Sequence, residues 1–163
     1  MIVVKAPNPL PHNKPIVFLA GSIEQDTASD WQAEVTKWLE SYDVIVANPR
    51  RDCWNPNINQ SIDDEVFSEQ VNWELSALEA SSIVVMYLEP GTKSPISLLE
   101  LGLFKHKNLL VCCPNGFWRK GNVDIVCDRY KIPCVYHLDE LKSLLESKLR
   151  ELSKLRELLD FCS

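Results

Sequence analysis

Residues 83–104 read IVVMYLEPGTKSPISLLELGLF, and this stretch decides the fold. Its first six residues, 83–88, form a continuous apolar run, the pattern of a strand buried on both faces. Residues 89–94 form a loop with a proline and a glycine. Residues 96–105 are again apolar, and their length and position after a strand-end loop predict a short buried helix.

The same alternation extends in both directions. Upstream, residues 15–20 (PIVFLA) are a second apolar run, closed by Gly21. Trp31, Val35, Trp38 and Tyr42 step by 4, 3 and 4, one face of a helix. Residues 43–47 (DVIVA) predict a short strand, and 48–60 (NPRRDCWNPNINQ) a long polar loop of the kind that is often functional. A helix is expected from about Ser61, with acidic residues at its positive end and Phe67, Val71, Leu75 and Leu78 as its apolar face. Downstream, 109–113 (LLVCC) and 132–136 (IPCVY) predict strands, and 114–129 irregular chain. A leucine-rich helix is expected over 138–160. Residues 1–14, with three prolines, read as an extended lead.

Strands that alternate with helices pack as a parallel sheet covered on both faces. The expected fold is therefore α/β, a flavodoxin-like doubly wound sheet of about five parallel strands. With 163 residues and 45% apolar composition, the chain makes a single domain, 1–163. Ligands in such folds bind beyond the carboxyl ends of the strands, here at 21–30, 48–60, 89–97 and 114–126. A net charge of -6 argues against a nucleic-acid polymer as partner, while a single nucleotide needs only a few local donors. None of the six cysteines is spaced as a zinc ligand pair, and no metal or other cofactor is expected. With neither a signal peptide nor an apolar span, the chain reads as cytoplasmic, with free thiols and no membrane partner.

Glu100 is the most informative residue, because it lies on a helix that is apolar nearly all round and close to the expected crevice. Such a carboxylate is either functional or satisfied by its own backbone or a core arginine. Glu74 shares the stripe of Val71 and Leu78, either as a second inward carboxylate or at the stripe's edge facing water. Two inward carboxylates divide the labour of glycoside cleavage. Ser94 and Pro95 fit an N-cap and first helical position, where Ser94 and Ser97 either hold an anion or simply serve the helix start. Gly21 and Ser22 form a similar turn. Trp54, Phe117 and Trp118 fall in expected loops, where an aromatic can stack on a base.

Several of these segments together resemble the nucleoside 2-deoxyribosyltransferase superfamily, which includes 2'-deoxynucleoside 5'-monophosphate N-glycosidases. They are FLAGS (18–22), NWEL (72–75), IVVMYLEP (83–90) and SLLELG (97–102). The resemblance covers 17–133 and is best over 71–102, with GFWRKGNVDIVCDRY similar to a less characterised branch. It implies that Glu100 is the nucleophile, attacking the anomeric carbon to form a glycosyl-enzyme ester that a second base or water resolves. It puts Glu74, one methylene longer than the family's Asp, in the role of serving the leaving base. Ser94 stands where transferases acting on free nucleosides carry an Asp, which favours a nucleotide. The acidic Glu24-Gln25-Asp26 disfavours phosphate, so the substrate stays open between the two. The resemblance also implies a homo-oligomer in which Asn122 and Asp124 complete a neighbour's site.

Two other classes of function compete with an enzyme. One is a non-catalytic nucleotide-binding module on the same fold. The other is an interaction protein working through the last helix. There Leu138, Leu141, Leu145, Leu149, Leu152, Leu155 and Leu159 recur at spacings of 3 and 4. Over about 22 residues, roughly 33 Å of helix, the second half is expected to outrun its own sheet and to pair with another copy.

Overall fold

The computed structural model describes residues 1–23, 28–52, 55 and 57–161, the side chain of residue 160 excepted. Six strands and five helices follow in the order β1 (Ile2–Lys5), β2 (Ile16–Gly21), α1 (Trp31–Trp38), β3 (Ile45–Asn48), α2 (Glu65–Ala80), β4 (Ile83–Tyr87), α3 (Pro95–Leu103), β5 (Leu109–Cys112), α4 (Lys120–Tyr130), β6 (Cys134–Val135) and α5 (Leu138–Phe161). All strands are parallel, in the order β1-β3-β2-β4-β5-β6. This is the doubly wound α/β architecture.

Period-2 alternation sorts the strand residues between two cores. Val17, Leu19, Val46 and Val85 meet Trp31, Val35 and Leu39 of α1 with its end, and Leu141, Leu145 and Leu149 of α5. Phe18, Ala20, Val84 and Met86 meet Ala77 and Leu78 of α2, Leu101 of α3, and Val123 and Cys127 of α4. Helices therefore cover both faces, and β2 and β4 are buried on both, as their unbroken apolar runs require.

Four expectations change. The apolar helix α3 is not buried all round, because Ile96, Leu99 and Leu103 are more than half exposed and only Ser97, Glu100 and Leu101 are buried. The lead is not merely extended, because Ile2–Lys5 adds an edge strand beside β3. Prolines at 7, 9 and 11 hid it, yet they lie beyond its end and so spare its ladder. Part of the supposedly irregular 114–129 is α4. Its weak signal is physical: only Val123 and Cys127, one turn apart, are fully buried, and Gly121 sits in its first turn. Finally, α2 starts at Glu65, where the Asp64 carboxylate accepts the Phe67 N–H at 2.9 Å. Its inward face is rotated from the expected one: Gln70, Ala77 and Leu78 are buried, while Phe67, Val71 and Leu75 are half-buried.

The sheet order reverses between β2 and β4. The chain leaves β2 towards β3 on one side and leaves β4 towards β5 on the other. A crevice opens at that switch, beyond Gly21 and Tyr87. Gly21 is required there: its φ is 131°, and a Cβ would lie 2.2 Å from the Tyr87 carbonyl oxygen. Among the described residues no helix is long and apolar enough to cross a membrane. The four described cysteines, Cys112, Cys113, Cys127 and Cys134, are free.

Candidate functional site

A cavity of about 250 Å³ occupies the crevice. Phe18, Ala20 and Gly21 of β2 form one wall with Ile23, and Pro49 follows β3. Glu74 enters from α2, and Ser94, Pro95, Ile96, Ser97 and Glu100 come from the start of α3. The described lining holds two carboxylates and no lysine, arginine or histidine.

Glu100 is 8% exposed, and among the described residues no hydrogen-bond donor reaches its carboxylate. Burial, and then the neighbouring charge of Glu74, push its pKa up to about 8. Burial also raises Glu74, but a hydrogen bond from Gln70 and the positive charge of Arg51 oppose that rise. The two carboxylates thus repel one another across one cavity. Near neutral pH Glu100 therefore keeps its proton.

Ser94 is held from behind by two further hydroxyls. The Ser22 Oγ lies 2.8 Å from Thr92 Oγ1 and 2.6 Å from Ser94 Oγ, and the last two are 3.0 Å apart. Ser22 Oγ also accepts the Glu89 N–H at 2.9 Å, and Thr92 donates to the Glu89 carbonyl at 2.8 Å. All three residues are buried. Ser94 stands at the N-cap position with Pro95 after it, as expected, but its side chain makes no cap hydrogen bond. It turns to the triangle instead, and its backbone is left-handed at φ 45°.

Of the residues singled out in the sequence, Glu100, Glu74, Gly21, Ser94 and Ser97 come together around this cavity. Ser22 stands behind it as the anchor of Ser94 and does not line it. Asn122 and Asp124 lie on α4, away from the cavity of their own chain. Asn122 lines a separate groove with Trp118, and Asp124 pairs with Lys120 at 2.6 Å. Trp54 falls outside the described residues. Phe117 is core, 3% exposed, and so is no stacking platform. Trp118 donates to the Lys93 carbonyl at 2.8 Å, with Arg119 over its ring. Sequence reasoning missed Gln70, whose amide donates to Glu74 at 2.7 Å. The available signal was its place one helical turn before Glu74.

Comparison with known proteins bears on this arrangement. A conserved protein from Enterococcus faecalis V583, known from its crystal structure, shares the fold. The two chains are 12% identical with a TM-score of 0.57, over 85% of this chain and 98% of that one. No curated protein matches the chain. Residues 14–117, more than half of the sequence and all of the strands and helices that frame the cavity, match the family described as "Nucleoside 2-deoxyribosyltransferase like", and the chain belongs to that family.

Proposed function

We propose that the protein breaks the N-glycosidic bond of a (2'-deoxy)nucleoside through a covalent glycosyl ester on Glu100. The observation that carries this reading is the pair of carboxylates, buried Glu100 and half-buried Glu74, in one cavity whose described lining has no cation. Ionised Glu100 attacks the anomeric carbon, the bond from that carbon to the base nitrogen breaks, and the electron pair leaves with the base. For this the proton held by Glu100 passes to Glu74 as substrate binds, and Glu74 delivers it to the departing base. Water then releases the sugar, or a second base takes it up, with Glu74 receiving the proton of the incoming nucleophile. The working form carries one proton on the pair, so activity falls above about pH 8, where that proton is lost.

The hydroxyl triangle favours an uncharged nucleoside over its 5'-monophosphate. A phosphate oxygen only accepts, so it would compete with Ser22 and Thr92 for the Ser94 proton. A sugar 5'-hydroxyl instead donates to Ser94 and leaves the triangle whole. The monophosphate is the second reading, favoured by Ser94 and Ser97 at the start of α3.

Incubation with nucleosides and monophosphates, with and without an acceptor base, tests both. Free base without acceptor identifies a hydrolase, and exchanged base a transferase. Glu100→Ala removes activity by several orders of magnitude while the fold survives. Near-normal turnover in that variant refutes the mechanism. Binding without turnover in the parent protein identifies a non-catalytic module.

A further inference from the structure

Glu74 has a long side chain, and a group that is to pass a proton needs its torsions held. Gln70 lies one turn earlier on α2, is 6% exposed, and is bonded on every polar atom. Its Nε2 donates to Glu74 Oε1 at 2.7 Å and to the Pro49 carbonyl at 3.0 Å. Its Oε1 accepts from Arg51 Nε. Arg51 also faces Glu69 at 3.5 Å.

These partners leave the amide one orientation. A guanidinium only donates, so it faces the oxygen, whereas a carbonyl and a carboxylate face the NH2. A flipped amide would meet a donor with its donors and two acceptors with its oxygen. We propose that Gln70, with its amide locked by Arg51 and Pro49, is the positioning residue that holds Glu74 by Oε1 and leaves Oε2 to carry the proton to the leaving base. The proposal rests on the nucleosidase or transferase reading for the last step only, since the clamp on Glu74 exists without a substrate.

Among the described residues the charged groups around Glu74 are few. Arg51 comes from the loop after β3, Glu69 from α2 itself and Glu100 from α3, while β2 presents only Phe18, Ala20 and Gly21. Among them Gln70 is the neutral donor that selects one carboxylate oxygen. An N–H that donates to the ionised form lowers a carboxyl pKa, and its removal raises it.

The test is the side-chain carboxyl titration of Glu74, followed by 13C NMR in the full-length protein, with Gln70→Met and Gln70→Asn. The second variant keeps an amide but falls one methylene short, so a polar residue remains if Met disturbs folding. Both are expected to move the Glu74 midpoint up by about one pH unit. An unmoved midpoint in a folded variant overturns the clamp whatever the activity. Kinetics give the second readout. Each variant is expected to lose about tenfold or more in kcat on a nucleoside with a poor leaving base, and much less on one with an activated base. In a Glu74→Gln background the same changes are expected to cost nothing further. Equal losses on both substrates, or full additivity with Glu74→Gln, overturn the positioning role. Failure of the wider reading shows separately, as turnover that survives Glu100→Ala.

Discussion

Replacing Glu100 by glutamine should stabilise the protein, and increasingly so as pH rises from about 4.5 to about 8. Burial and the charge of Glu74 hold the Glu100 pKa at about 8, against 4.5 for an ordinary glutamate. Between those values the folded protein keeps a proton that the unfolded chain has released. Stability contributed by this group therefore falls as pH rises from about 4.5 and levels off above about 8. At about 1.4 kcal/mol per pH unit, the gap sets a ceiling of about 5 kcal/mol on the cost of ionising Glu100 in the fold. Water entering the cavity and side-chain relaxation return part of this, leaving roughly 2 kcal/mol or more. Glutamine resembles the protonated side chain in shape and carries no charge at any pH. Urea unfolding of both proteins at pH 5 and pH 9 measures the difference. The expected gain is under about 1 kcal/mol at pH 5 and roughly 2 kcal/mol or more at pH 9, about a 1 M shift in midpoint. Equal stabilisation at the two pH values would refute the reasoning, because it would show that Glu100 costs nothing by ionising.

Three other outcomes follow from the same site and from α5. Glu74→Gln should slow substrates with poor leaving bases about a hundred-fold and spare activated ones, as measured by base release; equal loss on both makes Glu74 a positioning group. Ser94→Asp should weaken monophosphates and spare free nucleosides, because a carboxylate repels phosphate and accepts from a 5'-hydroxyl; parallel loss of both in binding measurements would leave Ser94 a purely structural role. We also propose that the far end of α5 joins two copies of the chain, since Leu155, Leu158, Leu159 and Phe161 are all more than half exposed. Truncation after Arg150 should then lower the sedimentation coefficient to that of a monomer, and an unchanged value would remove the helix from the assembly.

The fold was legible where burial was complete. β2 and β4 are packed on both faces, so their sequences are apolar without a break, and Trp31 with Val35 marks α1 equally plainly. Elements that bury little give little away. β1 is an edge strand with Ile2 and Val3 about 40% exposed, and α4 rests on two buried side chains. The site divides along the same line. Glu100 stood out because a charge in an apolar run is an anomaly. Gln70 did not, because a polar residue on a helix looks solvated until its partners are known, and those partners, Pro49 and Arg51, come from a loop about 20 positions earlier. The hydroxyl triangle was hidden for a different reason. Ser94 and Thr92 read as local turn chemistry, and only the pairing of β2 with β4 brings Ser22 to them.

Position 94 is where selection for a durable protein and selection for a working one pull apart. A left-handed serine in front of a proline costs roughly 1 kcal/mol or more that a glycine would not incur, and three hydrogen-bonded hydroxyls hold it there. Drift towards glycine would ease the backbone and remove the contacts that tie the start of α3 to Ser22 and Thr92. A lineage that kept this fold for binding or scaffolding alone should therefore abandon the serine early. One that still performs the chemistry should keep it through long divergence, together with Ser22 and Thr92, although neither of those need touch the substrate.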